Sequence, residues 1–357
     1  MDKLLGQLPI PLLEWYRENA RVLPWRSDPT PYKVWLSEIM LQQTRVAAVI
    51  GYFNRLTARC PTVADLAALD EDSLMKLWQG LGYYSRARNL HRTAKLIAEE
   101  YGGVFPADYD AIRALPGIGD YTAGAICSIA FGIPVPAVDG NVLRVVSRIT
   151  ADETDIGSPA LKKKVTSALE QIIPAKIPGT FNQAMMELGA TVCLPNGTPL
   201  CERCPAAPFC EAHRTNRTAL FPVKAPRKAR RIEQLDVFLI FCDGKVALRR
   251  RPDTGLLAKL WEFPNEPSPA TCPVSGQDGT TLSAKHIFTH VEWHMTARVI
   301  FTNENHLPPG WIWADRDELR HTYAIPNAFS SFAPFVDQTL LKTGGHRSWQ
   351  NCISDTE

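Results

Sequence analysis

The hydrophobic pattern of this chain of 357 residues changes its period once, at a basic segment that contains two prolines. Before this segment, PVKAPRKARR at residues 222–231, apolar residues recur at helical spacing, as in residues 34–41, and short Gly and Pro turns separate the runs. After it, runs of strand length appear at 235–241, at 246–248 beyond an Asp243-Gly244 turn, at 296–301 and at 310–313. The pattern predicts an all-α region, a basic linker, and a mixed α and β domain.

Charge divides at the same place. Residues 1–231 hold 28 Lys and Arg against 22 Asp and Glu, whereas residues 232–357 hold 11 against 15. The basic first region makes a polyanion a candidate partner. A composition with 45% hydrophobic and 21% charged residues excludes a disordered chain and a small disulfide scaffold. The sequence shows neither a long apolar run nor an apolar signal core after Met1, which predicts a cytoplasmic protein without a membrane partner.

Four of the nine cysteines are clustered with the spacing Cys193-x7-Cys201-x2-Cys204-x5-Cys210. In a cytosolic chain such a cluster indicates metal ligation rather than disulfides. Four thiolates suit one [4Fe-4S] cluster, and a zinc site or free thiols are the alternatives. The loop between them has little apolar surface, so a bound metal would serve a structural role.

Two glycines mark a candidate phosphate contact in the run Leu115-Pro116-Gly117-Ile118-Gly119, between two helical stretches. Gly117 and Gly119 would let a partner approach the backbone, and N–H groups at the next helix N-terminus would bind a phosphate oxygen. Such a contact holds a duplex without reading its sequence. A plain corner between two helices is the alternative.

Two carboxyl groups are candidates for catalysis. Glu38 lies in the apolar run 35–41, either on a solvated face or buried with a raised pKa that would let it donate a proton near neutral pH. Asp139 precedes a helical run as a candidate N-cap, and the cap would hold its carboxylate in place near a developing positive charge. One acid and one anion are what glycosidic bond cleavage through an oxocarbenium-like state requires.

Several long motifs resemble one family. They are WLSEIMLQQT (35–44), LWQGLGYYSRARNLH (77–91), LPGIGDYTAGAI (115–126), VDGNVLRV (138–145) and FNQAMMELGA (181–190), together with the cysteine cluster. On these motifs the chain closely resembles adenine DNA glycosylases of the MutY type, in the endonuclease III-like helix–hairpin–helix superfamily. RPDTGLLAKLWEFP (251–264) and FTHVEWHM (288–295) resemble that family's Nudix-like recognition domain.

The resemblance implies a multidomain fold. It implies an all-α helix–hairpin–helix glycosylase region over residues 1–221, the linker at 222–231, an α+β Nudix-like domain over 232–345 and a tail over 346–357. Within the helical region it implies a six-helix subdomain over about 30–135. The N-terminal helix and about 136–221 would form the subdomain that carries the cysteine loop.

The implied activity is hydrolytic removal of adenine paired with 8-oxoguanine or guanine in double-stranded DNA, by a monomer that flips the base out of the stack. Glu38 matches the general acid that protonates adenine N7, and Asp139 the carboxylate that stabilises the oxocarbenium ion. Tyr121 and Asn141 match supporting positions. The implied DNA contacts are Gln43, Thr44, Leu81, Tyr83, Gly117, Gly119, Phe288, Thr289 and His290, of which the last three would sense 8-oxoguanine; the four cysteines would bind one [4Fe-4S] cluster.

Three positions depart from the family pattern. The gap after Cys193 is seven residues instead of six, and Thr289 stands where Ser is common. Tyr121 stands where strand-cleaving relatives carry a nucleophilic Lys. Without that amine no Schiff base can form at the sugar, which predicts little or no lyase activity.

Three rival functions use only part of these features. A mismatch thymine glycosylase of the same fold shares the helical site but lacks the C-terminal domain. A Nudix hydrolase needs an acidic metal-binding helix, which the run NEPSPATCPVSGQDG after Pro264 does not supply. A non-catalytic DNA-binding or iron–sulfur sensor protein would not need Glu38 and Asp139 together.

Overall fold

The computed structural model describes residues 1–226 and 229–343. These residues form two compact units, one of residues 1–68 and 88–226 and one of residues 69–87 and 229–343. The helices in chain order are α1 (Asp2–Leu5), α2 (Pro9–Asn19), α3 (Pro24–Ser27), α4 (Pro31–Leu41), α5 (Val46–Arg59), α6 (Val63–Ala68), α7 (Glu71–Trp78), α8 (Ser85–Glu100), α9 (Tyr109–Ala114), α10 (Asp120–Phe131), α11 (Gly140–Thr150), α12 (Pro159–Glu170), α13 (Pro178–Thr191), α14 (Glu211–Arg214), α15 (Arg316–His321) and α16 (Ala333–Thr343). Within the described ranges, no helix has the length and apolar character needed to cross a membrane.

Helix α4 of the first unit is buried around its whole circumference. Its N-terminus is capped by Thr30, whose side-chain oxygen accepts a hydrogen bond from the Lys33 N–H at 3.3 Å, and Pro31 occupies the first turn, where no N–H is needed. The side chains from Val34 to Met40 are all buried. A polar side chain on this part of α4 is therefore withdrawn from water, whichever face it occupies.

Helix α10 packs against both α4 and α13, and glycines allow the close approach. A Cβ atom at Gly124 of α10 would lie 2.5 Å from the carbonyl oxygen of Pro136. A Cβ atom at Gly179 of α13 would lie 2.6 Å from the carbonyl oxygen of Ser128. Helix α10 is thus held against the Pro136 segment and against α13 by backbone contacts that leave no room for a methyl group.

The N-terminal helices pack on the region around the cysteine loop. Leu5, Leu8 and Leu12 of α1, α2 and the turn between them lie in one apolar cluster with residues of α11, α12 and α13. Cys193 and Cys210 belong to the same cluster. Burial of this apolar surface connects the beginning of the chain to the loop that the cysteines occupy.

The segment predicted to be a linker makes defined contacts. The carbonyl oxygen of Val223 accepts a hydrogen bond from Ile156 N–H at 2.9 Å, and Ala225 N–H donates to the Asp155 carboxylate. Residues 227 and 228 of the segment lie outside the described residues. Its first residues are therefore attached to the first unit rather than extended in solvent.

The second unit contains a seven-stranded mixed sheet. Its strands are β1 (Arg231–Cys242), β2 (Lys245–Arg250), β3 (Trp261–Glu262), β4 (Asn265–Pro267), β5 (Gln277–Ile287), β6 (Val291–Phe301) and β7 (Trp311–Ala314). The order is β3-β2-β1-β6-β5, with β4 also paired to β1 and β7 to β2. Strands β1 and β6 are parallel, while β1 with β2 and β5 with β6 are antiparallel. Along β1, Val237 and Leu239 pack in a core with α16, whereas Phe238 and Ile240 pack on the opposite face.

The all-α region followed by a mixed domain is confirmed, and so is the hairpin across Asp243-Gly244, which joins β1 to β2. The chain after Pro264 continues as β4, so the acidic helix of a Nudix hydrolase is missing from this described stretch. Strand β5 was not predicted, because most of its residues are exposed and no apolar alternation marks it. The predicted tail, 346–357, lies outside the described residues, as do residues 344–345.

We expect Gly124→Ala to lower the free energy of unfolding by about 1–3 kcal/mol, because the added methyl would overlap Pro136. Gly51→Ala is the matched control: it lies on the exposed side of α5, and the nearest atom is the end of the Arg55 side chain at 3.4 Å. There alanine should be neutral or stabilising by up to about 1 kcal/mol, because its helix propensity is higher. Urea denaturation measures both, and a Gly124→Ala protein as stable as the parent would contradict this packing.

Candidate active site and cysteine cluster

Glu38 lies in the third turn of α4 with 6% of its surface exposed. Burial raises the pKa of its carboxyl to about 7; the hydrogen bond from Tyr121 and the charge of Arg26 oppose the increase, and the charge of Asp139 adds to it. The solvated alternative for Glu38 is therefore wrong. A carboxyl with this pKa is partly protonated at neutral pH and can act as a general acid.

Tyr121 lies in the first turn of α10 and points its hydroxyl at Glu38. The hydroxyl donates a hydrogen bond to Glu38 Oε2 and also has the Sδ atom of Met186, on α13, within hydrogen-bonding distance at 3.1 Å. Burial raises the pKa of Tyr121 well above its ordinary value, and the charges of Glu38 and Asp139 raise it further. The tyrosine therefore keeps its hydrogen at any working pH.

Asp139 caps α11, as its position before Gly140 predicted. Its Oδ1 atom accepts a hydrogen bond from Val142 N–H at 2.8 Å, and Oδ2 accepts one from Asn141 Nδ2 at 2.7 Å. Burial raises the pKa of Asp139 above its ordinary value despite these hydrogen bonds and the charge of Arg144. The two carboxyl groups thus have different surroundings. Glu38 lies in the middle of a helix and accepts a hydrogen bond from a hydroxyl, whereas Asp139 lies at a helix N-terminus and accepts hydrogen bonds from N–H donors.

Asn141 is held by contacts on its other side. Arg144 donates from Nη2 to Asn141 Oδ1 at 2.8 Å and to the carbonyl oxygen of Gly189 at 2.7 Å. The Nε atom of Arg144 donates to the carbonyl oxygen of Cys193 at 2.8 Å. A Cβ atom at Gly189 would lie 2.6 Å from Asn141 Cβ, so only glycine leaves room for this arrangement. A chain of hydrogen bonds therefore connects Asp139 to the start of the cysteine loop.

A buried carboxylate on α13 was not predicted from the sequence. Glu187 is fully buried and accepts hydrogen bonds from the Arg21 backbone N–H, from Arg21 Nε at 2.6 Å and from Arg26 Nη2 at 2.8 Å. Burial alone would raise the pKa of Glu187, but the two arginines hold this pKa below its ordinary value. These ion pairs fix the turn of α13 that carries Met186. The sequence signal for a buried carboxylate was the single acidic residue in the apolar motif FNQAMMELGA. The motif does not show which residues pair with Glu187.

The four clustered cysteines line one cavity, together with apolar side chains such as Val145 and Leu188. Burial raises the pKa of Cys204 to about 12, and it also raises the pKa of Cys201 and of Cys210. Without a nearby cation these groups would remain neutral thiols. Cys193 faces the same cavity despite the longer gap that follows it.

The arrangement of the donors fits an iron–sulfur cluster. In the described part of the chain four cysteines, the number that a cubic cluster takes, line one cavity. A cube takes one thiolate at each iron, so its ligands lie apart around it. Arg148 donates from Nη1 to Cys193 Sγ at 3.2 Å and to the Leu194 carbonyl oxygen at 2.9 Å, which holds this sulfur in place.

The glycine hairpin joins α9 to α10. Gly117 has a left-handed backbone with φ +77°, and a Cβ atom there would lie 2.7 Å from Asn89 Cβ. Around a Cβ atom at Gly119, by contrast, no described atom lies within 4 Å, so the N-terminus of α10 is open to an approaching group. Thr93 of α8 supports the hairpin by donating to the Pro116 carbonyl oxygen at 2.8 Å.

The other predicted DNA contacts lie at two turns and one loop. Gln43 is exposed and has φ +60°, beside Thr44 in the turn between α4 and α5. In the second unit, Tyr83 is 51% exposed and has φ +47°, whereas Leu81 is only 6% exposed. The expectation that Leu81 contacts DNA is therefore not supported: its side chain is packed inside, and Tyr83 is the residue that this turn exposes.

The predicted lesion-sensing loop joins β5 to β6 in the second unit. Phe288 anchors it, with its ring 4.8 Å from that of Trp293 and 4.5 Å from that of His286. Thr289 and His290 are exposed at its tip. Within this unit, the hydroxyl groups of Tyr83 and Thr289 lie 3.0 Å apart, so two of the predicted contacts are neighbours.

Comparison with known proteins agrees with this fold. The family model for HhH-GPD superfamily base excision DNA repair proteins matches residues 36–175, and that for the NUDIX domain matches residues 236–333. Adenine DNA glycosylase of Mus musculus is 40% identical over 312 residues, 72% of this chain and 60% of that protein. Adenine DNA glycosylase of Homo sapiens is 35% identical over an alignment of 394 residues, 89% of this chain and 71% of that protein. The solved structure of a thermostable thymine-DNA glycosylase matches with a TM-score of 0.53 and 25% identity, covering 60% of this chain and 100% of that one.

The chain spans 60% of the length of the mouse relative and 71% of that of the human relative. The two family models fall in the order that the sequence predicted, a helical helix–hairpin–helix core followed by a Nudix-like domain. The resemblance inferred from the motifs is thereby confirmed. The chain belongs to the adenine DNA glycosylase family.

Proposed function

We propose that this chain hydrolyses the N-glycosidic bond of adenine in double-stranded DNA where the adenine is paired with 8-oxoguanine or guanine. The observation that carries the proposal is the pair of carboxyl groups in the first unit. Glu38 is buried with a pKa of about 7, and Asp139 is fixed by Val142 N–H and Asn141. These are the acid and the anion that glycosidic cleavage needs.

Glu38 is the general acid. It donates its proton to N7 of the flipped adenine, which turns the base into a better leaving group. Asp139 stabilises the positive charge that develops on the sugar as the bond to adenine breaks. The Glu38 carboxylate left behind then accepts a proton from the attacking water, so one carboxyl serves as acid and then as base.

Tyr121 explains why the proposed reaction does not include strand cleavage. It places a hydroxyl, bonded to Glu38, where an amine would be needed to form a Schiff base at the sugar C1′. The reaction therefore stops at base removal, with little or no strand cleavage.

DNA is held by the hairpin and by two exposed turns. The backbone N–H groups after Gly117 and Gly119 bind a phosphate, and Gln43 and Tyr83 enter the duplex beside the flipped base. Both side chains are exposed at their turns, which supports this assignment. Thr289 and His290 contact the 8-oxoguanine on the opposite strand, with Thr289 supplying the hydroxyl that serine supplies elsewhere in the family.

One [4Fe-4S] cluster is the proposed cofactor, held by Cys193, Cys201, Cys204 and Cys210. When bound, it would cross-link the loop through the four cysteines, and its iron ions would supply the positive charge that stabilises the thiolates. The chain's own contribution is to orient Cys193 through Arg148 at its sulfur and Arg144 at its carbonyl oxygen.

Mismatch thymine removal is the alternative function. The match to a thymine-DNA glycosylase structure favours it. Tyr121 favours it too, because some mismatch thymine glycosylases carry a tyrosine at the matching position. The match covers 100% of that structure but only 60% of this chain. Thymine removal therefore gives no role to the NUDIX domain matched at residues 236–333. Adenine excision gives both units a role.

Replacing the proposed acid tests the mechanism. Glu38→Gln keeps the size of the side chain but cannot donate a carboxylic proton, so single-turnover adenine excision should fall by about 10²-fold or more. Mismatch binding, measured by fluorescence anisotropy, should change little. Glu100→Gln, an exposed change at the end of α8, is the control. Full activity of Glu38→Gln would refute the role of Glu38.

The pH dependence follows from the pKa of Glu38. Protonated Glu38 is the active form, so single-turnover rates should be highest below about pH 7 and fall up to about tenfold per pH unit above it. At acidic pH the rate should fall again as Asp139 becomes protonated. A rate that stays flat from pH 6 to pH 9, roughly the range on either side of the Glu38 pKa, would argue against a titrating acid.

Gly189→Ala tests the support of Asp139. The added methyl would displace Asn141, so excision should fall by about tenfold or more while the fold is retained, because misplacing a catalytic group is enough to slow the reaction. Gly51→Ala serves again as the control. Circular dichroism verifies folding, and unchanged excision by a folded Gly189→Ala protein would remove Asn141 from the account.

A further inference from the structure

The Tyr121 hydroxyl has one hydrogen and two acceptors, Glu38 Oε2 and Met186 Sδ. We propose that Met186 is a positioning residue for the acid: its sulfur accepts the Tyr121 hydrogen when the Glu38 proton is on Oε2. This inference rests on the proposed role of Glu38 as the acid.

Counting hydrogens in the two states of Glu38 leads to this assignment. When Glu38 is ionised, the Tyr121 hydroxyl donates to the carboxylate and the sulfur receives no hydrogen. When Glu38 is protonated on Oε1, Oε2 still accepts from Tyr121. When the proton is on Oε2, the Glu38 O–H donates to the tyrosine oxygen, and the tyrosine hydrogen turns to another acceptor. Met186 Sδ, 3.1 Å from that oxygen, is the acceptor that the structure provides. No atom is gained or lost apart from the proton that Glu38 passes to adenine.

The sulfur is held in position by the rest of α13. The next residue, Glu187, is fixed by Arg21 and Arg26. Met185, on the other side of Met186 in the chain, is buried in the apolar cluster that contains Leu5 and Leu12. Met186 itself is only partly buried, on the side of α13 that faces α10. The backbone on both sides of Met186 is therefore anchored.

The charged and titratable groups that act on Glu38 come from three other elements: Tyr121 on α10, Asp139 at the start of α11 and Arg26 on α3. Leucine at position 186 changes none of these groups and keeps a similar volume. Without the sulfur, no described side chain offers the tyrosine hydrogen an acceptor when the Glu38 proton is on Oε2. That state becomes less favourable, and Glu38 loses its proton at a lower pH.

The test is the pH profile of single-turnover adenine excision by the chain of 357 residues. In this profile the descending limb is the fall in rate above about pH 7. For Met186→Leu this limb should shift to lower pH by about half a pH unit, with an unchanged rate on the acidic side. The rate at about pH 8.5 should therefore fall about threefold. Met185→Leu is the matched control, a change of similar size one residue away, and its limb should not move. Met186→Gln, whose amide oxygen can accept the hydrogen, should return the limb at least to its original position.

A second comparison separates a positioning role from a structural one. In a Tyr121→Phe protein there is no tyrosine hydroxyl hydrogen for the sulfur to accept. Adding Met186→Leu to that protein should therefore not move the descending limb of the pH profile. The Met186 proposal is overturned if Met186→Leu leaves the limb in place, or moves it equally in the Tyr121→Phe protein. If Glu38→Gln keeps full activity and the parent shows no limb near pH 7, the proposed function fails first and this inference fails with it.

Discussion

The withdrawal of one carboxyl group from water is the constraint on which the rest of the site depends. Glu38 is carried by a helix whose residues from Val34 to Met40 are all buried, so its ionised form loses hydration that Tyr121 only partly replaces. A carboxyl that remained solvated would be ionised at neutral pH and could not donate a proton to a base. The burial of α4 is therefore both a folding feature and the source of the acidity that the proposed reaction uses.

The surroundings of Glu38 are built to keep the two carboxyl groups different. Asp139 accepts hydrogen bonds from N–H donors, through the helix cap and Asn141. Arg144 extends this support to the backbone of Cys193. The cysteine loop, which is also packed in the apolar cluster with the N-terminal helices, is thus connected to the position of the anion.

The sequence supported some of these conclusions better than others. The cap at Asp139 follows from local spacing, and the hairpin at Asp243-Gly244 follows from alternation and turn residues. The burial of Glu38 did not follow from its apolar neighbours, because a helix of that composition could have left one face in water. The contacts of Arg144 and Glu187 join residues far apart in the chain, and strand β5 lacks an apolar face. Their positions are decided by tertiary packing, which periodicity does not encode.

The central claim is that this site removes adenine rather than another mispaired base. Single-turnover excision by the intact chain, compared on duplexes with one A·8-oxoguanine pair or one T·G pair, tests it most directly. We expect adenine to be released from the first duplex at least about 10²-fold faster than thymine from the second, since a site that hydrogen-bonds one base rejects others strongly. Equal rates, or faster release of thymine, would contradict the account.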